Sequence, residues 1–492
     1  MHRDQIDGVP VLWAEAPGPL EAVLMFGSGV RDETFRTLGV THLIEHLAMS
    51  TLPRLHHDHN ASVDLGLTQF TATGRPEQLV EFLAKVCEAL GALPMERIEQ
   101  EAGVLAAENS SVTDPTTAEL LSIRYGIEGP GLASFPGPGP DRIPLEAVRE
   151  TAARRFHAGN AVLVLTGPPP AGLRLPLPAG DRPDRSGQSP VLQPGPVWQQ
   201  AEVPGPGLAL LCDLDDDAMH LAVNVLRHRL TEVVRHQHGL SYDVGGDTVY
   251  SGPGRGERVL CLDARPGQEQ RVAELLWQEA VRLATEGVTA EELAEEVEAA
   301  REVFEDPRSV VYELGEAAGE LLLGGQYREA PERLDAMRAV TPDRARAAFA
   351  TALRSALLVV PHEVEVGLRQ ADGSELPQGS CTAQAELPRG GQVFRPSLKD
   401  RLRWSAARRT RLVVTGEGLW SSHSDGSVHH LPFADVVGVE IQGPGRLVFG
   451  RGNCWMPVLP DVFQGIGPAV RAIDAAVPEA LRYPASSFNS AD

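Results

Sequence analysis

Two stretches of this chain, 148–166 and 345–360, have the same layout. Each runs from a helical pattern through a phenylalanine and a short turn into an apolar strand, and Phe156 and Phe349 stand 193 positions apart. Either the chain carries two copies of one α+β unit, or two unrelated α+β domains each close on a helix and a strand. Each closing strand follows a longer α+β pattern. In the first, apolar runs at 9–14 and 20–26 flank a Pro/Gly turn, and helical spacing continues at 39–49, 76–90, 95–109 and 145–156. In the second, strand patterns at 208–212, 241–250 and 258–264 accompany helical patterns at 217–237, 269–285, 289–303, 310–323 and 342–353.

Proline- and glycine-rich stretches separate these units from each other and from the C-terminal region. The expected organisation is 1–170, a linker at 171–199, 200–365, a second linker at 366–404, 405–480 and a tail at 481–492. The expected class is α+β. The last domain shows six short strand patterns between 411 and 459 and a helix at 466–476, an order and length that resemble a pleckstrin-homology-like barrel. A basic run precedes it, Arg401, Arg403, Arg408, Arg409 and Arg411, of a kind that is usually solvated.

Charge narrows the partners. With 44 Lys and Arg against 67 Asp and Glu, the net charge of −23 repels phosphate backbones and anionic lipid, so nucleic acid and a membrane surface are poor default partners outside any local basic patch. No 18-residue apolar run occurs, and the first 16 residues lack the basic and then apolar sectors of a secretory signal. Five widely spaced cysteines, Cys87, Cys212, Cys261, Cys381 and Cys454, form no CxxC and suggest neither a disulfide framework nor a thiolate zinc site. A cytoplasmic protein is the expectation.

The chemistry concentrates in His42-Leu43-Ile44-Glu45-His46. Residues four apart on a helix lie about 6 Å along the axis on one face, so both imidazoles can reach one metal ion. Glu45 sits beside them, near enough to take a proton from water at the metal without being a ligand. A later helical segment offers Glu101 and Glu108, seven apart and on one face, either of which can supply a third ligand. Two histidines, a carboxylate and an open position are what a catalytic zinc requires.

With these motifs the sequence resembles the pitrilysin–insulinase family of zinc peptidases. The matching residues are 26–33, 39–46, 59–62 and 101–108, and the match continues at 235–242 around Gly239-Leu240-Ser241-Tyr242. The resemblance implies two duplicated α/β domains forming half a clamshell, with one Zn2+ per chain. It implies His42, His46 and Glu108 as zinc ligands, Glu45 as general base and Glu101 as the acid that steadies a ligand histidine. Arg235 and Tyr242 would hold the substrate carbonyl and stabilise the oxyanion. Asn60 and Ala61 would lie on a sheet edge to which a peptide substrate adds as a strand. Two departures stand out: the interval from His46 to Glu108 is 62 residues, shorter than usual in the family with most of the loss before Asn60, and Val63 stands where Thr is common.

The implied activity is a zinc endopeptidase acting on short or unfolded peptides, as a homodimer or with a related subunit. The rivals are a non-catalytic partner subunit of such a peptidase, and an adaptor that binds peptide or lipid through its C-terminal domain. Three other clusters are expected to be inert. His56-His57-Asp58-His59 sits in a loop where adjacent side chains cannot converge on one ion, Asp213 to Asp217 serve a helix N-terminus, and His423, His429 and His430 lack a carboxylate at ligand spacing.

Overall fold

The computed structural model describes residues 1–53, 56–108, 112–379, 386–403, 405–423 and 426–487; Cys381 lies outside them. The first unit is a six-stranded sheet of β1 (His2–Ile6), β2 (Val9–Trp13), β3 (Leu20–Phe26), β4 (Asp58–Val63), β5 (Thr68–Gly74) and β6 (Ala161–Leu165), in the order β1-β2-β6-β3-β5-β4. Five helices come from the same stretch: α1 (Val40–Met49), α2 (Pro76–Gly91), α3 (Ile98–Ala107), α4 (Pro115–Tyr125) and α5 (Leu145–Arg155). Strand alternation sorts the core. Ala22, Leu24 and Phe26 point from β3 into a cluster with Leu43, Ile44 and Leu47 of α1 and Phe82 and Leu83 of α2.

The second unit contains β7 (Val197–Ala201), β8 (Gly207–Asp213), α6 (Asp217–Leu230), β9 (Val244–Gly252), β10 (Arg255–Leu262), α7 (Glu269–Glu286), α8 (Ala290–Glu305), α9 (Val310–Leu323), α10 (Ala330–Arg338), α11 (Pro342–Leu353) and β11 (Leu357–Pro361). Its sheet order is β7-β11-β8-β10-β9. In both sheets the last strand of the unit inserts parallel to the first partner and antiparallel to the second, β6 between β2 and β3, and β11 between β7 and β8. The two units therefore share one topology, and β1 is the only strand of the first without a counterpart among the described residues.

Each unit also lends a helix to the other. Leu314, Ala317, Ala318 and Leu322 of α9 cover the outer face of the first sheet against Met25, Val162 and Val164. Leu120 of α4 packs reciprocally on Ala209, Val259, Leu357 and Val359 of the second sheet. Because both faces of β6 and β11 are covered, these strands are apolar at nearly every position, as parallel-sheet interiors are. The segment between the units holds no regular element before β7 but is packed down, with Leu173 and Leu175 buried and Arg185 bonded to Asp32.

The third unit departs from one continuous meander. Its strands β12 (Gln392–Phe394), β13 (Arg411–Val414), β14 (Gly418–Ser422) and β15 (Val428–Pro432) form one sheet. A second sheet comprises β16 (Val436–Gln442), β17 (Gly445–Gly450), β18 (Cys454–Val458) and β19 (Arg482–Pro484). No strand pairing among the described residues closes the two sheets into a barrel. Short helices α12 (Leu398–Arg403) and α13 (Ser405–Arg409) precede β13, and α14 (Gly467–Ala476) packs Ala469 and Ile473 into the core that both sheets share. The expected tail begins as β19, parallel to β16. Tyr483 is buried beside Phe35, and Ser486 and Ser487 donate to Asp141, so the third unit is clasped to the first. Among the described residues no helix is long and apolar enough to cross a membrane.

Candidate metal centre

Helix α1 is placed by its N-terminus and by its apolar face. Gly39 takes φ 90°, a left-handed conformation that favours glycine. The half-buried Glu33 side chain then accepts the Gly39 N–H at 2.7 Å and the Thr41 N–H at 2.8 Å. A carboxylate here satisfies two of the unpaired donors at the helix start and faces the positive end of its dipole. Leu43, Ile44 and Leu47 lock the opposite face into the core. Rotation about the helix axis is thereby fixed, and His42 and His46 point together into a cavity of about 610 Å3 lined also by Glu45, Asn60, Ala61, Glu101 and Glu108.

The imidazole rings stand 4.9 Å apart. Glu108 reaches His42 Nε2 at 3.5 Å through one carboxylate oxygen and His46 Nε2 at 3.3 Å through the other. Ligand atoms of a tetrahedral zinc, each about 2.0–2.1 Å from the ion, stand about 3.3 Å apart. These spacings therefore suit a common point between the three groups, and among the described residues this is the one set of His, Cys, Asp or Glu side chains grouped closely enough to hold an ion. Glu45 Oε2 lies 3.5 Å from His42 Nε2 and 3.9 Å from His46 Nε2. Glu101 Oε2 faces His46 Nδ1 at 3.8 Å, and its other oxygen accepts from Arg97 at 3.0 Å.

The electrostatics favour a cation. Burial, and then the nearby Glu108 charge, push the Glu45 carboxyl up to about 8. Burial followed by the neighbouring His46 lowers His42, which keeps its imidazole neutral and able to ligate. Three carboxylates converge on two histidines, and Arg97 is the one cation that the ion pairs among the described residues bring to them. A dication at the common point would relieve the repulsion on Glu45 and lower it again. Zinc thus fits the donor set by distance, protonation and charge.

One detail differs from the sequence expectation. Glu108 is not a residue of α3, which ends at Ala107; it is the C-cap, in extended conformation, with its N–H bonded to the carbonyls of Val104 and Leu105. Residues 95–97 form a separate 3-10 turn, so the helix expected over 95–109 is shorter at both ends. From that C-cap position Glu108 meets both histidines of α1, while Glu101, about two turns earlier in α3, faces the far nitrogen of His46.

The fold has counterparts among solved structures. A chain from Pseudomonas fluorescens described as peptidase M16 inactive domain superposes with a TM-score of 0.57 at 18% identity, over 74% of this chain and 99% of that one. The chain has an M16 peptidase fold. The first half of the periplasmic protease PqqL from Escherichia coli superposes with a TM-score of 0.53 at 15% identity, over 73% and 91% of the two chains. Pitrilysin matches at 0.55 and 14%, over 74% of this chain and 45% of pitrilysin. By sequence, residues 184–300 match the family described as Peptidase M16 inactive domain, a stretch that covers much of the second unit and none of the metal cluster. No curated protein matches.

Within the M16 fold the remaining expected residues separate into two places. Asn60 and Ala61 lie on β4, the outer strand of its sheet, and line the metal cavity. Arg235 and Tyr242 do not line it. Arg235 is in a π-helical turn, Thr231–Gln237, that ends the long helical pattern begun by α6, and its guanidinium stacks 5.0 Å from the Tyr242 ring centroid. Both are exposed, Tyr242 by 76%.

Their loop is held by Asp263, which the sequence did not single out. Burial raises this carboxyl, but hydrogen bonds from Ser241, Asp243 and Tyr242 outweigh that and hold it low. Glu33 and Arg97 were missed as well. Glu33 carried a signal, an acid six residues before a glycine that opens a helix.

The three clusters expected to be inert make local contacts. His59 Nδ1 contacts the His57 carbonyl oxygen, Asp216 caps α6, Asp217 pairs with Arg328, and His430 stacks on Trp420.

Proposed function

We propose that this chain is a zinc-dependent endopeptidase that hydrolyses short or unfolded peptides in a chamber formed by two subunits. The observation that carries the proposal is the common spacing of His42, His46 and Glu108 with Glu45 beside them. Those three side chains would hold a zinc ion, which when bound would supply Lewis acidity and make a water easier to deprotonate.

The chain's own groups do the rest. Glu45 Oε2 accepts the water proton and returns it to the leaving amine. Glu101 orients His46 through Nδ1, leaving Nε2 for the metal. The outer edge of β4 offers main-chain groups to an extended peptide, a mode that tolerates varied side chains. Arg235 and Tyr242, exposed and outside the cavity, would face the metal site of a second chain and donate to the developing oxyanion there.

Composite sites make a specific prediction. Glu45→Gln and Arg235→Ala chains, each inactive alone, recover about a quarter of wild-type cleavage of a quenched peptide when mixed as a homodimer, because half the dimers carry one complete site. No recovery after verified subunit exchange would remove Arg235 from a shared site. Zinc binding predicts linked stability too: free zinc at about 1,000 times its Kd raises the unfolding free energy by about 4 kcal/mol. In thermal melts this increment vanishes in His46→Ala.

A second reading has one observation in its favour, the inactive-domain family matched by residues 184–300. On that reading the chain is the non-catalytic half of a heterodimeric peptidase. It predicts that wild type cleaves nothing until a related subunit is added, and that cleavage by the pair is then unchanged by Glu45→Gln in this chain.

A further inference from the structure

The basic run before β13 has no role in the chemistry above, and its surroundings set it apart. Between positions 395 and 411 the sequence holds seven Lys or Arg and one acid, in a chain whose net charge is −23. Elsewhere surface arginines are commonly paired: Arg271, Arg282, Arg301 and Arg338 each meet an acid within the same helix. Among the described residues no carboxylate pairs with Arg395, Lys399, Arg401, Arg408 or Arg411.

Apolar side chains stand among these charges. Leu398 and Leu402, four apart and so on one face of α12, are 63% and 71% exposed, and Val393 on neighbouring β12 is 53% exposed. None belongs to the core of the third unit, whose nearest member is the buried Phe394. The segment is nonetheless held in place. Gln464 donates to the Arg395 carbonyl, Arg408 Nε donates to the Arg401 carbonyl at 2.9 Å, and Ser422 Oγ donates to the Arg409 carbonyl.

We propose that this face docks on an anionic lipid bilayer, with Leu398 and Leu402 entering the headgroup–acyl boundary while the surrounding cations meet lipid phosphates and carboxylates. Exposed leucines interleaved in the chain with Arg395, Lys399 and Arg401 match the layered chemistry of an anionic leaflet, acyl chains beneath negative headgroups. An acidic protein or a nucleic acid would satisfy the cations and leave the leucines without an apolar phase. A six-residue helix cannot span the bilayer, so the attachment is peripheral. The acidic remainder of the chain would be repelled by the same leaflet, which orients the patch toward it. This inference does not depend on the metal centre being catalytic.

The test is cosedimentation of the full chain with vesicles of phosphatidylcholine alone or of equal parts phosphatidylcholine and phosphatidylserine. Binding is expected to the second only and to weaken as salt is raised. Leu398→Asp with Leu402→Asp should lower partitioning by at least about tenfold. Lys399→Glu and Arg395→Glu should each lower it by about fivefold or more. All these positions are exposed, and unchanged thermal midpoints verify that the variants fold. Three results would overturn the proposal: no binding to the anionic vesicles, binding that survives the double leucine variant, or concentration-dependent self-association lost in that variant with no vesicle binding, which would make the face a contact between two copies of the chain.

Discussion

Glu45→Gln is expected to lower kcat on a quenched peptide by about 10^2- to 10^4-fold, the usual contribution of a positioned general base, while the chain still takes up its metal. The two effects separate because of where Glu45 sits. Its carboxylate lies beside both histidines but is not one of the three groups that share a common point. Glutamine keeps the shape and cannot accept the proton. The fold should tolerate the change well, since burial and Glu108 already push the Glu45 carboxyl toward its neutral form in the metal-free chain. The measurement is kcat with bound zinc on the same preparation. Loss of metal together with activity would make Glu45 a ligand, and undiminished kcat would remove it from the chemistry.

The largest stability effect should come from a site far from the metal. Arg124 of α4 and Glu257 of β10 are both fully buried, and the guanidinium meets the carboxylate at 2.8 Å through Nε and 3.3 Å through Nη2. Arg124 also donates to the carbonyls of Gln193 and Ser355 at 2.6 Å, and Tyr125 donates to Glu257 at 2.9 Å. The network ties the helix that the first unit lends to the sheet of the second. Removing one partner strands a buried charge, so Glu257→Ala or Arg124→Ala should cost about 3–5 kcal/mol in urea unfolding. Arg271→Ala, which breaks an exposed helical pair, should cost at most about 1 kcal/mol. Equal costs at the two sites would contradict this account of how the units are joined.

The sequence made some of this legible and concealed the rest for identifiable reasons. Helix α1 could be read because its apolar residues at 43, 44 and 47 leave 42 and 46 together on the other face, a pattern that survives without tertiary information. Helix α4 could not. It is buried on every side, including Thr116, Thr117, Ser122 and Arg124, so no apolar stripe marks it. The available signal was Asp114-Pro115, an N-cap that accepts from the Thr116 and Thr117 N–H groups and precedes a proline at the first helical position.

Spacing left Glu101 and Glu108 as alternatives and the family resemblance singled out Glu108, whereas its departure from the helix arises from contacts that the sequence pattern does not encode. The helical pattern over 217–237 was continuous in sequence and changes from α to π geometry at Thr231. Strand β19 is three residues long and is held by Tyr483 in an aromatic cluster with Phe35 of the first unit, contacts between residues more than 400 positions apart. The third unit was legible as strands and then a helix, but not as two sheets, because pairing partners are set by the shared core rather than by any one strand.

The most direct test of the central claim is the metal content of the purified chain after dialysis against trace zinc. Wild type and Glu45→Gln should each retain one zinc ion per chain, and His42→Ala, His46→Ala and Glu108→Ala should each retain far less. Absence of stoichiometric zinc from wild type, or its undiminished retention by His46→Ala, would contradict the proposed metal centre.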